Sequence, residues 1–323
     1  MPEPAVTDAG VGDFRAGASG PGVHIGAVSC GAELILAPTV VAEFGGERLP
    51  DNWIVEAWKE GGTAEVNGRL TLDAATAGFS GMYGAGRSLE FVATFEKRPH
   101  QHVGFGTDFR NVPWITFSTK FGHSLYARSH FLIPEETRLS PSLLGSAHRF
   151  RIDWNVLDVD FWVDGRKIAY QLVPLVGMMR PLAGNGSQGG APLAVEWVRM
   201  TPYAPEGTFE SRVHDAGCDA RWEGCELDAE VPADAAVAIE IRAGSTPHPD
   251  PSWSGWSTPG DSPVPGLRGP NAVPGLRGPN AVPGLRGPNA VTGRYAQYRA
   301  RLATGSRSQT PVVRRVTLRY SSS

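Results

Sequence analysis

The chain has 323 residues, with 40 glycines, 27 prolines, only 20% charged side chains and a formal net charge of -3. Mixed charges with no basic run exclude a partner recognised through its phosphates, so no nucleic acid is expected. No apolar run approaches the roughly 20 residues of a membrane-spanning helix, so no membrane partner is expected either.

The first stretch, MPEPAVTDAGVGDFRAGASGPG, has no charged segment leading into an apolar core, so it is not a signal peptide. Residues 1–38 read as a disordered leader or the remnant of a longer chain, and the apolar run in CGAELILAP is too short to anchor anything. No stretch carries a three-to-four apolar period with helix caps, and the fold class expected is all-β. Candidate strands then follow one another: GTAEVNGRLTLDA, RSLEFVATFE, HVGFGTDF, PWITFST, SLYARSH, HRFRIDWNV, DVDFWVDGRKIAY and LAVEWVRMTPY. Many alternate apolar and polar residues, and Asn67-Gly68 and Asp164-Gly165 are hairpin signals between them. By this pattern Trp154, Trp162 and Trp197 are expected in the core. A second alternating set, TFESRVHDAG, AVAIEIRAG, GRYAQYRARLA and PVVRRVTLRY, follows with SWSGWS between its members. The expected domains are therefore residues 39–204 and a smaller β-sandwich, residues 205–323.

The nonapeptide VPGLRGPNA is written three times over residues 264–290. Alanine occupies every third glycine slot, which a collagen triple helix does not tolerate. The repeat reads as an insertion in one interstrand loop of the second sandwich, where added length costs little closure entropy. Cys218 and Cys225 either close a small loop or stand as free thiols, and Cys30 has no partner.

Three segments carry a family resemblance: RSLEFVATFE, HRFRIDWNVLDVDFWVDGRKI and MRPLAGNGSQGGAPLAVEWVRM. Together they resemble the concanavalin A-like lectin/glucanase superfamily, and within it the laminarinase-type glucanases and their non-catalytic relatives. The resemblance covers roughly residues 40–203. It implies a jelly roll of two curved antiparallel sheets whose concave face holds a sugar chain. The second domain is similar to small β-sandwich modules of secreted bacterial multidomain proteins. That context implies an extracellular or cell-surface setting, with other domains of a larger surface protein as partners. A structural Ca2+ is common in the superfamily, and Glu43 and Glu196 are the oxygen donors the resemblance offers.

Retaining glycosidases need two carboxyl groups about 5–5.5 Å apart. In the glucanases they alternate along one strand, and the corresponding strand here is PWITFST. It carries Trp114, Thr116 and Ser118 on one face and no acid, so no catalytic residue is assigned. Asp158 and Asp160, beside Trp162, are the acids an enzyme with a rearranged site would use, though solvation on a hairpin is their simpler role. Glu135-Glu136 read as a solvated loop. No G-x-S-x-G elbow is present. His100 and His102 form an H-x-H pair that would share a strand face; His123 and His130 are the candidates for a third metal ligand, and ordinary strand-edge histidines are the simpler reading.

The alternative is binding. Aromatic faces stack on sugar C–H patches and fixed polar groups orient them. The candidate ligand-binding residues are His102, Trp114, Thr116, Tyr126 and Arg128, with Trp114 and Tyr126 as a stacking platform. The expected function is a non-catalytic carbohydrate-binding or adhesion module whose partner is a polysaccharide or glycan. A glycoside hydrolase with non-standard acids and a structural spacer are the alternatives.

Overall fold

The computed structural model describes residues 4–28, 31–121, 124–174, 177–258 and 290–322. It divides into two compact units, Thr39–Pro202 and the two chain ends, Met1–Pro38 with Tyr203–Ser323. Both are built from antiparallel sheets, and no described helix is long and apolar enough to cross a membrane.

The Thr39–Pro202 unit is a jelly-roll sandwich of two sheets. One sheet has seven strands: β1 (Trp53–Ala57), β2 (Ala75–Phe79), β3 (Gln101–Gly106), β4 (Trp114–Lys120), β5 (Ser124–His130), β6 (Pro134–Arg138) and β7 (Arg180–Asn185). Their order across the sheet is β6-β5-β4-β3-β7-β2-β1. The facing sheet runs Arg166–Gln171, Val159–Val163, Ala147–Trp154, Arg87–Thr94, Leu193–Tyr203, Leu70–Asp73, Thr63–Val66, with Pro38–Glu43 also on Leu193–Tyr203.

Period-two alternation fills the space between the sheets. Phe117 of β4 lies 4.8 Å from Phe150, 5.3 Å from Phe161 and 6.1 Å from Phe91, ring centre to ring centre. Phe105 of β3 packs on Trp154 at 5.3 Å. Each of these rings is fully buried. The Asp164-Gly165 turn has φ of 49° and 75°, the left-handed pair that a two-residue hairpin between twisted strands requires.

Of the three tryptophans expected in this core, only Trp154 lies there. The same alternation turns Trp162, with Asp160, to the solvent side of the facing sheet. Trp197 is buried against cations instead, with Arg199 and Arg149 at 4.3 and 6.0 Å from its ring.

Residues 1–38 are not a disordered leader: from Pro4 on, the described residues are built into the terminal unit. Ala5–Asp8 pairs with the last strand, Val312–Ser322, bringing Ala5 opposite Arg319. Val23–Val28 and Gly31–Leu36 form a hairpin whose second strand also joins Val312–Ser322. Phe14, on the one-turn helix Val11–Arg15, and Leu34, Ile35 and Leu36 are fully buried in the core of this unit. The physical reason is partnership at long range: the strands that complete this segment lie at the other end of the chain. In sequence, the jelly roll is thus inserted into the second sandwich and does not simply precede it.

A buried polar knot ties these ends together. Asp8 accepts hydrogen bonds from Arg212 Nε at 3.1 Å and Tyr298 Oη at 3.0 Å, and His214 Nε2 lies 3.2 Å away. Burial pushes the Asp8 carboxyl up, but the partners His214, Tyr298 and Arg212 outweigh it and hold it below the ordinary aspartate range. In the same unit, SWSGWS places Trp256 against two guanidinium groups, Arg242 at 4.4 Å and Arg299 at 4.5 Å. Cys218 and Cys225 are free thiols, the first exposed and the second buried, so the loop-closing disulfide does not form. Burial, then the Glu226 charge, pushes the Cys225 thiol up to about 12, which makes it inert at neutral pH. Cys30 and, apart from Ala290, the nonapeptide repeat lie outside the described residues.

Candidate functional site

The outward face of the seven-stranded sheet gathers all five candidate binding residues. Register determines this. His102 pairs with Ser118 and Ser118 with Tyr126; Thr116 pairs with Arg128; Trp114 pairs with His130. Directly opposed residues share a face, so His102, Trp114, Thr116, Ser118, Tyr126, Arg128 and His130 stand together, while Ile115, Phe117 and Ala127 point into the core.

His102 stands in an aromatic slot. Trp58 stacks on it at 5.7 Å and Phe109 packs on it at 5.6 Å. Glycines make room for these two rings: a Cβ at Gly184 would come within 3.0 Å of Trp58, and one at Gly106 within 2.8 Å of the Phe109 ring. Arg110 clamps the slot, its Nη2 donating to the Trp58 carbonyl at 3.2 Å with its guanidinium 5.7 Å from the Trp58 ring centre. Burial, then the positive charge of Arg128 and of His100, pushes the His102 imidazole down to about 3. It is therefore neutral at physiological pH, with one nitrogen to donate and one to accept.

The H-x-H pair does not form a metal dyad. His100 sits before β3 with φ of 68° and packs its ring on Phe121 at 5.0 Å, whereas His102 faces Trp58 and Phe109. His130 lies edge-on to Trp114 at 5.3 Å. His123 is outside the described residues. Among the described residues no group of three or more His, Cys, Asp or Glu side chains gathers as a metal site. Of the two calcium candidates, Glu43 faces the Arg199 guanidinium at 3.7 Å and Glu196 lies on the strand Leu193–Tyr203.

Trp114 and Tyr126 do not make one continuous platform. Tyr126 pairs with Ser118, four residues along β4 from Trp114. At about 3.4 Å per residue this offsets their backbone positions by about 14 Å along the strand. Arg128 stands between them, its guanidinium 4.8 Å from the Trp114 ring centre, and Lys120 Nζ lies 5.4 Å from that of Tyr126. Arg128 also donates to Ser118 Oγ at 3.2 Å. Thr116 is buried on this face and its hydroxyl has no hydrogen-bond partner. Such a group costs free energy until something pairs with it.

Three residues of this face escaped the sequence reading. Glu136, solvated as expected, lies with Arg138 on the edge strand β6 and not in a loop: Arg128 pairs with Glu136 and Tyr126 with Arg138. Lys120 holds Glu136 at 2.8 Å and Arg128 Nε lies 3.3 Å from it. The hydrogen bond from Lys120 is the leading cause that keeps the Glu136 carboxyl below the ordinary glutamate range; burial opposes it and the charges of Lys120 and Arg128 add to it. Lys120 could have been found, since it continues the alternation Trp114, Thr116, Ser118.

Carboxylates on the strands of this face lie far apart. Glu56 is on β1 and Glu136 on β6, the two edges of the sheet, six interstrand steps from each other. At roughly 4.8 Å per step that is about 29 Å along the sheet. Glu56 is 3.7 Å from Arg180. Asp158 and Asp160 are not on this sheet: Asp158 accepts from Asn155 at a turn, and Asp160 is paired with Lys167 at 2.5 Å on the facing sheet.

Half of the chain is similar in structure to solved glucanases and their relatives. A β-glucanase of Bacillus licheniformis matches at 17% identity, with 50% of this chain and 97% of that one covered and a TM-score of 0.38. A β-1,3-glucanase of Mycobacterium marinum matches at 14% identity, 51% and 98% coverage and a TM-score of 0.40. A protein of Mycobacterium tuberculosis described as an immunostimulatory antigen and pseudo β-1,3-glucanase matches at 17% identity, 51% and 98% coverage and a TM-score of 0.39. No protein-family model and no curated protein matches the chain.

Proposed function

We propose that the outward face of the seven-stranded sheet binds a polysaccharide or glycan and does not cleave it. The observation that carries this reading is the outward row of β4, Trp114, Thr116 and Ser118, which contains no carboxylate. Hydrolysis with two carboxyl groups requires them about 5–9.5 Å apart. Glu56 and Glu136 are separated by the width of the sheet. Glu136 is further held ionised by Lys120 and Arg128, which makes it a poor proton donor.

The same face has what a sugar needs. Trp114 and Tyr126 are partly exposed rings. Neutral His102, the unpartnered Thr116 hydroxyl and the Arg128 guanidinium supply donors and acceptors between them. Sugars bind by such a combination of apolar ring faces and fixed polar groups.

Affinity electrophoresis against a panel of soluble polysaccharides, with reducing-end release measured on the same samples, tests the reading. Retardation by at least one polysaccharide without new reducing ends is expected. New reducing ends would make the protein an enzyme, and no retardation by any member would leave a structural role.

A further inference from the structure

The proposed glycan face is charged on one side. Lys120, Arg128 and Arg138 stand there on three adjacent strands, and Glu136 is the carboxylate among them. Glu136 is shared by Lys120 at 2.8 Å and Arg128 at 3.3 Å. Arg138 is held by a neutral partner, its Nε donating to Ser124 Oγ at 3.1 Å. The cluster thus carries three cations to one anion, in a chain whose overall charge is -3. Solvation alone does not account for it, because two of the cations are placed against the rings that sugars would stack on. Arg128 lies over Trp114 and Lys120 over Tyr126. At the centre is the Thr116 hydroxyl, buried and without a partner, on the same side as Arg128.

We propose that the ligand of this face is an anionic glycan, whose carboxylate or sulfate groups are taken by Arg138, Lys120 and Arg128 while its rings lie against Trp114 and Tyr126. The inference rests on the reading of this face as a glycan site and names the class of glycan. Arg138 is the leading anion anchor, because among the described residues its guanidinium meets no carboxylate and it presents a planar fork to one. Lys120 and Arg128 share a single counter-charge and take a second anion with little loss. The sequence has no basic run to track a phosphodiester backbone, which favours a pyranose bearing its charge on the ring, and an oligonucleotide is the control for that choice.

The experiment uses the full chain and two pairs of polymers that differ in charge alone: polygalacturonate against its highly methyl-esterified form, and dextran sulfate against dextran. Laminarin is the neutral β-glucan and a single-stranded oligonucleotide the non-sugar polyanion. The expected result is binding to polygalacturonate or dextran sulfate at least tenfold tighter than to the uncharged counterpart, weakened as salt is raised. Whichever of the two is preferred identifies carboxylate or sulfate as the recognised group. R138Q, at an exposed position, and K120Q, at a half-buried one, should each weaken that binding about tenfold, the loss expected of one charge-assisted hydrogen bond. Equal binding of charged and uncharged partners would overturn the inference and leave the glycan site standing. Binding to laminarin alone would do the same. Polyanion binding that both variants leave unchanged, or that the oligonucleotide matches, would also overturn it. No binding to any polysaccharide would remove the glycan site itself, and this inference with it.

Discussion

The Arg128 guanidinium lies 4.8 Å from the centre of the Trp114 indole, and its Nε lies 3.3 Å from Glu136. One cation thus links the aromatic ring at the start of β4 to the carboxylate of the edge strand. His130 also lies edge-on to this ring at 5.3 Å, and the ring remains partly exposed. Trp114→Ala is therefore expected to weaken glycan affinity about tenfold, from lost stacking area. Thermal stability should change little, since Trp114 is outside the core. Affinity electrophoresis and a melting curve on the same variant check this, and unaltered retardation would remove Trp114 from the site.

Glu136 should titrate below 4.5, the ordinary value for its carboxyl. The sign follows from the lowered value. The ion pairs with Lys120 and Arg128 contribute above the unfolded glutamate range and are lost as pH falls through the lower folded value. The pair is solvent-accessible, so its contribution to stability is expected within about 1 kcal/mol. A carboxyl-carbon NMR titration reads the midpoint directly. A midpoint at or above the ordinary value would contradict the assigned pairing.

Asp8 is expected to be indispensable to the terminal unit. Asp8→Ala leaves the buried His214 and Tyr298 facing an empty carboxylate position while Arg212 keeps Asp13 at 2.9 Å, and unpairing such buried groups costs about 1–3 kcal/mol. Because the Asp8 carboxyl is held low, the wild-type contribution is present above the ordinary aspartate range and fades as pH falls through the folded value. Denaturant unfolding at neutral pH checks the size. A variant as stable as the parent would show that the first strand is dispensable.

Trp256→Ala removes the ring that packs on Arg242 and Arg299 and is expected to cost about 1–2 kcal/mol through two cation–π contacts. Glycan binding is expected to stay as it is, since these residues belong to the other unit. Chemical denaturation together with the binding assay separates the two effects, and a loss of binding at full stability would assign SWSGWS a part in recognition.

Alternation made the centre of the site legible. Trp114, Thr116 and Ser118 were expected on one face from their spacing, and Tyr126 and Arg128 likewise, and register joins them through direct cross-strand pairs. What alternation could not reveal is what covers that face. Trp58 reaches His102 from a loop, by virtue of Gly184 elsewhere in the sequence, and no local pattern encodes that approach. PEETR lacks apolar residues because β6 is an exposed edge strand, so a polar loop and a polar edge look alike in sequence. The first 38 residues were misread for a different reason. Their turn-rich composition is that of a flexible segment, whereas Ala5–Asp8 finds its partner in Val312–Ser322, at the far end of the chain. Strand pairing at that separation leaves no trace in a local window.

The central claim is that the seven-stranded sheet holds a glycan without cutting it, and incubation of the full chain with retained polysaccharides tests this most directly. Retardation in affinity gels is expected, with reducing ends no higher than in the protein-free control after prolonged incubation. Reducing ends that rise with protein concentration, and persist after Glu56→Gln and Glu136→Gln substitutions, would contradict it and direct the search for acids to the loops around the sheet.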